Sequence, residues 1–285
     1  MYSTLIVPLD GSAFAEQAIT PAVFMSRRSR AVLHLLRVHE GSPDPGYRTP
    51  AWDEYFRSEE EAYLEALTAR VQDGFAGTVE WELVDGHVVP AICARAESCR
   101  APLVAMSTHG RTGIRRTWLG SVASGVVRHT SAPVLMVRPP SEPDATHRVA
   151  TESPFANIVI PLDGSAFAEQ VLPHAISVAW TSTGRLVLLR VVESREKSSA
   201  AIRQASAYLN DVASRMRSEC SSVDARVEVH SSPGAAILAC AAALERPLVA
   251  MASHGRGLSR LFLGSVADEV VRGTAGAVLM IRPCT

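Results

Sequence analysis

Short apolar runs alternate with longer amphipathic segments along the whole chain. TLIVPL, AVLHLLRV, TVEWELV, PLVAMS and VLMV are strand-length runs rich in Val, Leu and Ile. Between them, segments such as FAEQAITPAVFMSRR and EEEAYLEALTARVQD place apolar residues at three- and four-residue spacing and predict helices. The same order returns as NIVIPL, RLVLLRV, ARVEVH, PLVAMA and VLMI. Strand and helix alternating five times predict a parallel sheet with helices on both faces. In such open sheets a ligand lies beyond the carboxyl ends of the strands, where the strand order reverses. The residues after strands 1 and 4 are therefore the first candidates for chemistry.

The chain is a tandem repeat. VPLDGSAFAEQ at 7–17 returns as IPLDGSAFAEQ at 160–170, MSTHGR at 106–111 as MASHGR at 251–256, and LGSVAS at 119–124 as LGSVAD at 263–268. VLMVRP at 134–139 returns as VLMIRP at 278–283. The offset between copies is 153 at the first block, 145 at the second and 144 thereafter. The first copy thus carries a surplus of eight residues, placed within GSPDPGYRTPAWDEYFRSEE, and one more after the histidine. The segment that contains it carries Tyr47, Trp52, Tyr55 and Phe56, and the surplus is expected to border the first crevice, with Trp52 in the loop. Tyr55 and Phe56 also fit the core face of the next helix. PPSEPDATHRVATESP reads as a linker, giving domains 1–140 and 154–285 with 141–153 between them.

Composition narrows the function. Hydrophobic residues make up 47% and charged residues 20%, an ordinary globular balance. With 28 basic against 29 acidic residues, the chain lacks the basic excess of a nucleic-acid binder. Cys93, Cys99, Cys220, Cys240 and Cys284 are an odd number, widely spaced without a C-x-x-C pair, which argues against a disulfide framework and a structural zinc site. No 18-residue apolar run predicts a membrane span, and no signal segment opens the chain, so a cytoplasmic protein is expected. Neither a G-x-x-x-x-G-K-[ST] loop nor a G-x-S-x-G elbow is present.

Three recurring pieces carry candidate chemistry. Asp10 and Asp163 follow the first strand of each copy. There a carboxylate accepts from a base amine or a ribose hydroxyl, although Asp-Gly-Ser is equally a turn that caps the next helix. Asp10 is expected to serve ligand binding more than folding. Ser107, His109, Gly110 and Arg111 are followed after a spacer by Gly120 and Ser121, which open the helix SVASGVVRH. Free N–H groups there favour an anion, and a simple N-cap is the competing reading. Ala252, His254, Gly255, Arg256, Gly264 and Ser265 are the second-copy counterparts. His109 and His254 are the best general-base candidates, and a phosphate-facing role suits them better. Val38 and Val191, ending strand 2, either read an adenine edge or simply fill the core.

Taken together these pieces resemble tandem universal stress protein domains, whose signature is Gly-x2-Gly-x9-Gly-Ser/Thr after the fourth strand. The resemblance spans nearly the whole chain. It implies two Rossmann-like α/β domains, each a five-stranded parallel sheet in the order 3-2-1-4-5. In ATP-binding members the aspartate after strand 1 and the valine ending strand 2 contact adenosine, and the glycine loop holds the phosphates. Carried over, these are Asp10, Val38, Gly110, Gly120 and Ser121, then Asp163, Val191, Gly255, Gly264 and Ser265. The implied cofactor is ATP, with or without Mg2+ and without a built-in metal site. The implied role is stress response or signalling without rapid turnover. A nucleotide-free scaffold working through protein contacts is the alternative, and a weak ATPase a third reading. Pairing of the two halves through strand 5, with a homodimer of whole chains as an addition, is also implied. The sequence departs from the signature at Ser107 and Ala252, and only eight residues separate Gly255 from Gly264. The second site is therefore expected to be the weaker.

Overall fold

The computed structural model describes residues 1–41, 49–108, 119–138, 152–253 and 263–282. Contacts divide the chain, Met1 aside, into two compact units, Tyr2–Thr151 and Glu152–Thr285. Most of the expected linker, 141–151, lies outside the described residues.

The first unit runs β1 (Thr4–Leu9), α1 (Ala13–Glu16), α2 (Ile19–Ser29), β2 (Val32–His39), α3 (Pro50–Asp73), β3 (Val79–Asp85), α4 (Val88–Ser98), β4 (Pro102–Ser107), α5 (Ser121–His129) and β5 (Val134–Val137). Its strands are parallel in the order β3-β2-β1-β4-β5. The inner strands are apolar without alternation because both faces are covered: Leu5, Ile6, Leu33, Leu35, Leu36, Leu103 and Val104 are fully buried. Side-chain parity on β2 shows the covering directly. Arg37 and His39 meet Glu60 of α3, whereas His34, of opposite parity, meets Arg95 of α4. The two helices therefore lie on opposite faces. At the edge, β3 carries Glu80, Glu82 and Asp85, charges that suit a half-solvated strand.

The second unit repeats the plan as β6 (Asn157–Pro161), α6 (Ala166–Glu169), α7 (Leu172–Ser182), β7 (Arg185–Glu193), α8 (Ser199–Met216), β8 (Val223–His230), α9 (Pro233–Ala242), β9 (Pro247–Ala252), α10 (Ser265–Gly273) and β10 (Ala277–Ile281). A short 3-10 turn, Ser194–Glu196, links β7 to α8. The parallel order is β8-β7-β6-β9-β10. Each unit thus has the 3-2-1-4-5 order anticipated from the sequence.

Two details differ from the sequence reading. FAEQAITPAVFMSRR is not one helix: it breaks between Glu16 and Ile19 into α1 and α2. Trp52 is not in a loop, because Pro50 at the first helical position starts α3 there. Part of the surplus, Pro50 to Asp53, therefore forms an added first turn of α3, whereas α8 begins at Ser199. Tyr47 lies outside the described residues.

Candidate functional site

The turn after the first strand is built identically in both units. Asp10 Oδ1 accepts from Ser12 N–H at 2.9 Å and from Ser12 Oγ–H at 2.6 Å. Ser12 Oγ in turn accepts from Ala15 N–H at 3.2 Å and caps α1. Asp163, Ser165 and Ala168 repeat the arrangement. Gly11 between them has φ +83°, a conformation that L side chains avoid. Asp10 therefore has a role in building the turn, beside whatever its second oxygen does.

Strand 2 overruns strand 1 at this end. The last rung of β1 pairs Leu9 with Arg37, so Val38 lies one residue beyond it. In the second unit Leu162 N–H donates to the Leu189 carbonyl at 2.9 Å. Backbone groups alternate sides along a strand, so those of Val191 face the same way, past the end of β6. Both valines are half-buried.

Arg37 lies over the Asp10 turn. A Cβ added to Gly11 would come within 2.7 Å of its Nη1. Its guanidinium sits 5.5 Å above the Tyr63 ring and donates to Glu60 Oε1 at 2.9 Å. The counterpart Arg190 donates to the Leu162 carbonyl at 3.2 Å, and among the described residues no carboxylate forms an ion pair with it.

On the other side of strand 1, β4 ends at Ser107 and β9 at Ala252. Gly120 N–H donates to the Thr108 carbonyl at 2.9 Å, and Gly264 N–H to the Ser253 carbonyl at 3.0 Å. These bonds pin the amino ends of α5 and α10 to strand 4 of each unit in the same way, despite the shorter second loop. Neither helix has a side-chain cap, and Ser121 and Ser265 are exposed at its first position. Two such open amino termini suit an anion. They differ in one respect: Asp268 on the first turn of α10 stands where α5 has Ser124, and it pairs with Arg272 at 2.7 Å. His109, Gly110, Arg111, His254, Gly255 and Arg256 lie outside the described residues.

Sequence reasoning overlooked a polar triad beside each turn. Tyr63 Oη donates to Glu16 Oε1 at 2.8 Å, and Arg70 Nη2 to Glu16 Oε2 at 3.2 Å. Glu169, Tyr208 and Arg215 repeat this at 3.0 and 2.9 Å. Burial, then the neighbouring Glu16, pushes the Tyr63 phenol well above its usual range, so it stays a donor. The signal was present: the glutamates recur at the first offset, the Tyr and Arg pairs at the second. Each triad ties the helix after the turn to the long helix over strand 2, and so braces the crevice floor.

A separate open groove of about 820 Å³ lies at the opposite end of the first sheet, lined by Arg27, Arg30, Gly74, Phe75 and Thr78. It is remote from the strand carboxyl ends. Among the described residues, no group of three His, Cys, Asp or Glu is placed to hold a metal ion, and no helix is long and apolar enough to cross a membrane.

Comparison with known proteins agrees with this architecture. A universal stress protein of Methanocaldococcus jannaschii is 28% identical over 145 residues, covering 50% of this chain and 85% of its own length. One from Mycobacterium tuberculosis is 28% identical over 240 residues, covering 78% of this chain and 71% of its own. The crystal structure of a universal stress protein from Archaeoglobus fulgidus superposes with a TM-score of 0.75 at 20% identity, over 99% of each chain. The family profile matches residues 1–138 and again 154–282. With both sheets, both turns and both pinned helices accounted for, the chain belongs to the universal stress protein family.

Proposed function

We propose that the crevices at the strand carboxyl ends hold adenine nucleotide, ATP in the first place, and that the protein works as a stress or signalling module without rapid turnover. One observation carries the reading. In both units a braced aspartate, a strand-2 residue overrunning strand 1 and an uncapped helix amino terminus converge on the same sheet end. The aspartate suits a ribose hydroxyl or base amine, the backbone of Val38 or Val191 suits an adenine edge, and the helix end suits phosphate. Mg2+ would arrive with the phosphates rather than on a protein-built site. His109, Gly110 and Arg111, with His254, Gly255 and Arg256, complete the phosphate loops in this reading.

The second site is the weaker in this proposal, because Ala252 replaces a hydroxyl and Asp268 puts a carboxylate on the phosphate-facing helix turn. Pairing of the two halves through β5 and β10 is part of the same proposal, as these apolar strands are outer strands of their own sheets. The unpaired thiols Cys93, Cys99, Cys220 and Cys240 support a reducing, cytoplasmic setting. The scaffold alternative draws on the departures at Ser107 and Ala252.

Mass spectrometry of denatured, freshly purified protein, followed by calorimetric titration with ATP, ADP and AMP, tests the reading. Co-purified adenine nucleotide and saturable binding are expected. Clean protein that binds none of the three would leave the scaffold reading in its place.

A further inference from the structure

The first crevice contains an ion cluster that, among the described residues, the second does not repeat. His39 is 6% exposed at the end of β2. Its Nδ1 lies 2.7 Å from Glu60 Oε2 and its Nε2 3.0 Å from Asp53 Oδ1. A carboxylate accepts and does not donate, so satisfying both contacts requires an N–H on each ring nitrogen, which only the imidazolium has. Glu60 also takes the Arg37 guanidinium at 2.9 Å. The cluster therefore runs from the Asp10 turn through Arg37 and Glu60 to His39, and on to Asp53 in the added turn of α3.

In the second unit Val192 stands at the position of His39 and Ala205 at that of Glu60, and α8 starts too late to supply the added turn. Two homologous crevices in one chain thus differ by a titratable lock.

Asp53 and Glu60 act on the His39 charge directly, and further charged groups stand around them. β2 contributes Arg37 and Glu40, the latter 3.9 Å from His87. α3 contributes Asp53, Glu60 and Arg57, and β3 contributes Asp85, the register partner of His39, which pairs with Arg57. From the turn after β1, Asp10 acts on the same Tyr63 that carries Arg37. Burial opposes a charged imidazole here, but the hydrogen bonds to Asp53 and Glu60 outweigh it and hold the proton above the usual range. When the proton leaves, Asp53, whose side chain is 51% exposed, has water to turn to. Glu60, 18% exposed, does not.

We propose that His39 and Glu60 are positioning residues that make ligand binding in the first crevice, and not in the second, depend on pH. Protonated His39 shares Glu60 with Arg37 and holds the added turn of α3. Without the proton, the one remaining N–H stays on the poorly solvated Glu60, the contact to Asp53 is lost, the turn is released, and an anionic nucleotide meets one positive charge fewer. The binding half of this proposal rests on the nucleotide reading above; the lock itself does not.

Two measurements on the full chain test it. Imidazole 15N NMR of the ligand-free protein, with the His39 signal assigned from His39→Gln, should show both nitrogens protonated, with a midpoint above the ordinary value of about 6.5. A midpoint at or below that value overturns the lock. Calorimetric titration with ATP between about pH 6 and about pH 9 is then run with Asp163→Ala silencing the second crevice. A charge lost at about 10 Å in a half-solvated site should weaken binding roughly three- to fivefold more than in His39→Val or Glu60→Ala. If either variant fails to fold, His39→Gln, whose uncharged amide keeps a donor group but does not titrate, takes its place. Parallel pH profiles for wild type and variants overturn the proposal. So does the same pH dependence when Asp10→Ala silences the first crevice instead. If ATP binds nowhere at any pH, the nucleotide reading fails and the binding half of the proposal with it, while the NMR result still decides the lock.

Discussion

Asp10 does two jobs that a pair of substitutions separates. Its Oδ1 accepts two hydrogen bonds from Ser12, and Ser12 caps α1. Asp10→Ala removes both acceptor contacts and frees the capping hydroxyl to rotate. The site is half-buried, so water recovers part of the loss, and a cost of about 1–2 kcal/mol is expected. For a unit of this size that lowers the apo transition by about 2–8 °C. Asp10→Asn keeps the Oδ1 acceptor and should hold stability to within about 0.5 kcal/mol. It loses the charge, however, and turns the second oxygen into a donor. If that oxygen meets the ligand, ATP affinity in the first crevice should fall about tenfold or more in both variants, since a hydrogen bond to a charged group contributes about 1.5–3 kcal/mol. Differential scanning calorimetry of ligand-free protein and titration calorimetry with ATP give the two numbers. Asn as destabilising as Ala would refute the turn argument. Asn binding ATP like wild type would refute the ligand contact.

Further expectations follow from the differences between the units. Gly11→Ala and Gly164→Ala both force a side chain into φ near +80°, at about 1–2 kcal/mol, but only the first drives a methyl into Arg37 held by Glu60; chemical denaturation should find Gly11→Ala the worse. Tyr63→Phe leaves Glu16 short of a donor and should cost about 1–3 kcal/mol, with Tyr208→Phe milder because Glu169 is the more exposed glutamate; equal losses would show that burial of the acceptor does not matter here. His39 has a raised folded-state pKa, so its contribution to stability is complete below the unfolded value of about 6.5 and disappears as pH rises through the folded value. Denaturant midpoints of wild type should therefore decline through that window and those of His39→Val should not. Asp268→Ser should strengthen ATP binding in the second crevice, and unchanged affinity there would detach the helix turn from the phosphate site.

The alternation of apolar runs and the two registers of the repeat were enough to determine the architecture of each unit, because a parallel sheet covered on both faces demands fully apolar inner strands and helical crossovers. The same blocks pointed to Asp10 and Gly120, since residues after strands 1 and 4 share one sheet end whatever the side chains do. What no periodicity could supply was which polar groups meet. Glu16 precedes Tyr63 by 47 residues and Arg70 by 54, and His39 precedes Asp53 by 14 and Glu60 by 21. Their contacts exist only because α3 packs on the face of β2 that carries Arg37 and His39. Helix boundaries were missed for a similar reason: after Glu16, Gln17 and Ala18 bond to the Phe14 and Ala15 carbonyls three residues back instead of continuing the α-helical ladder, and the start of α3 at Pro50 follows from a local N-terminal preference. Hydrophobic pattern is a sum over many weak, local choices and survives reading along one dimension. A charge cluster depends on a few atoms brought within about 3 Å by packing, and only the folded chain decides that.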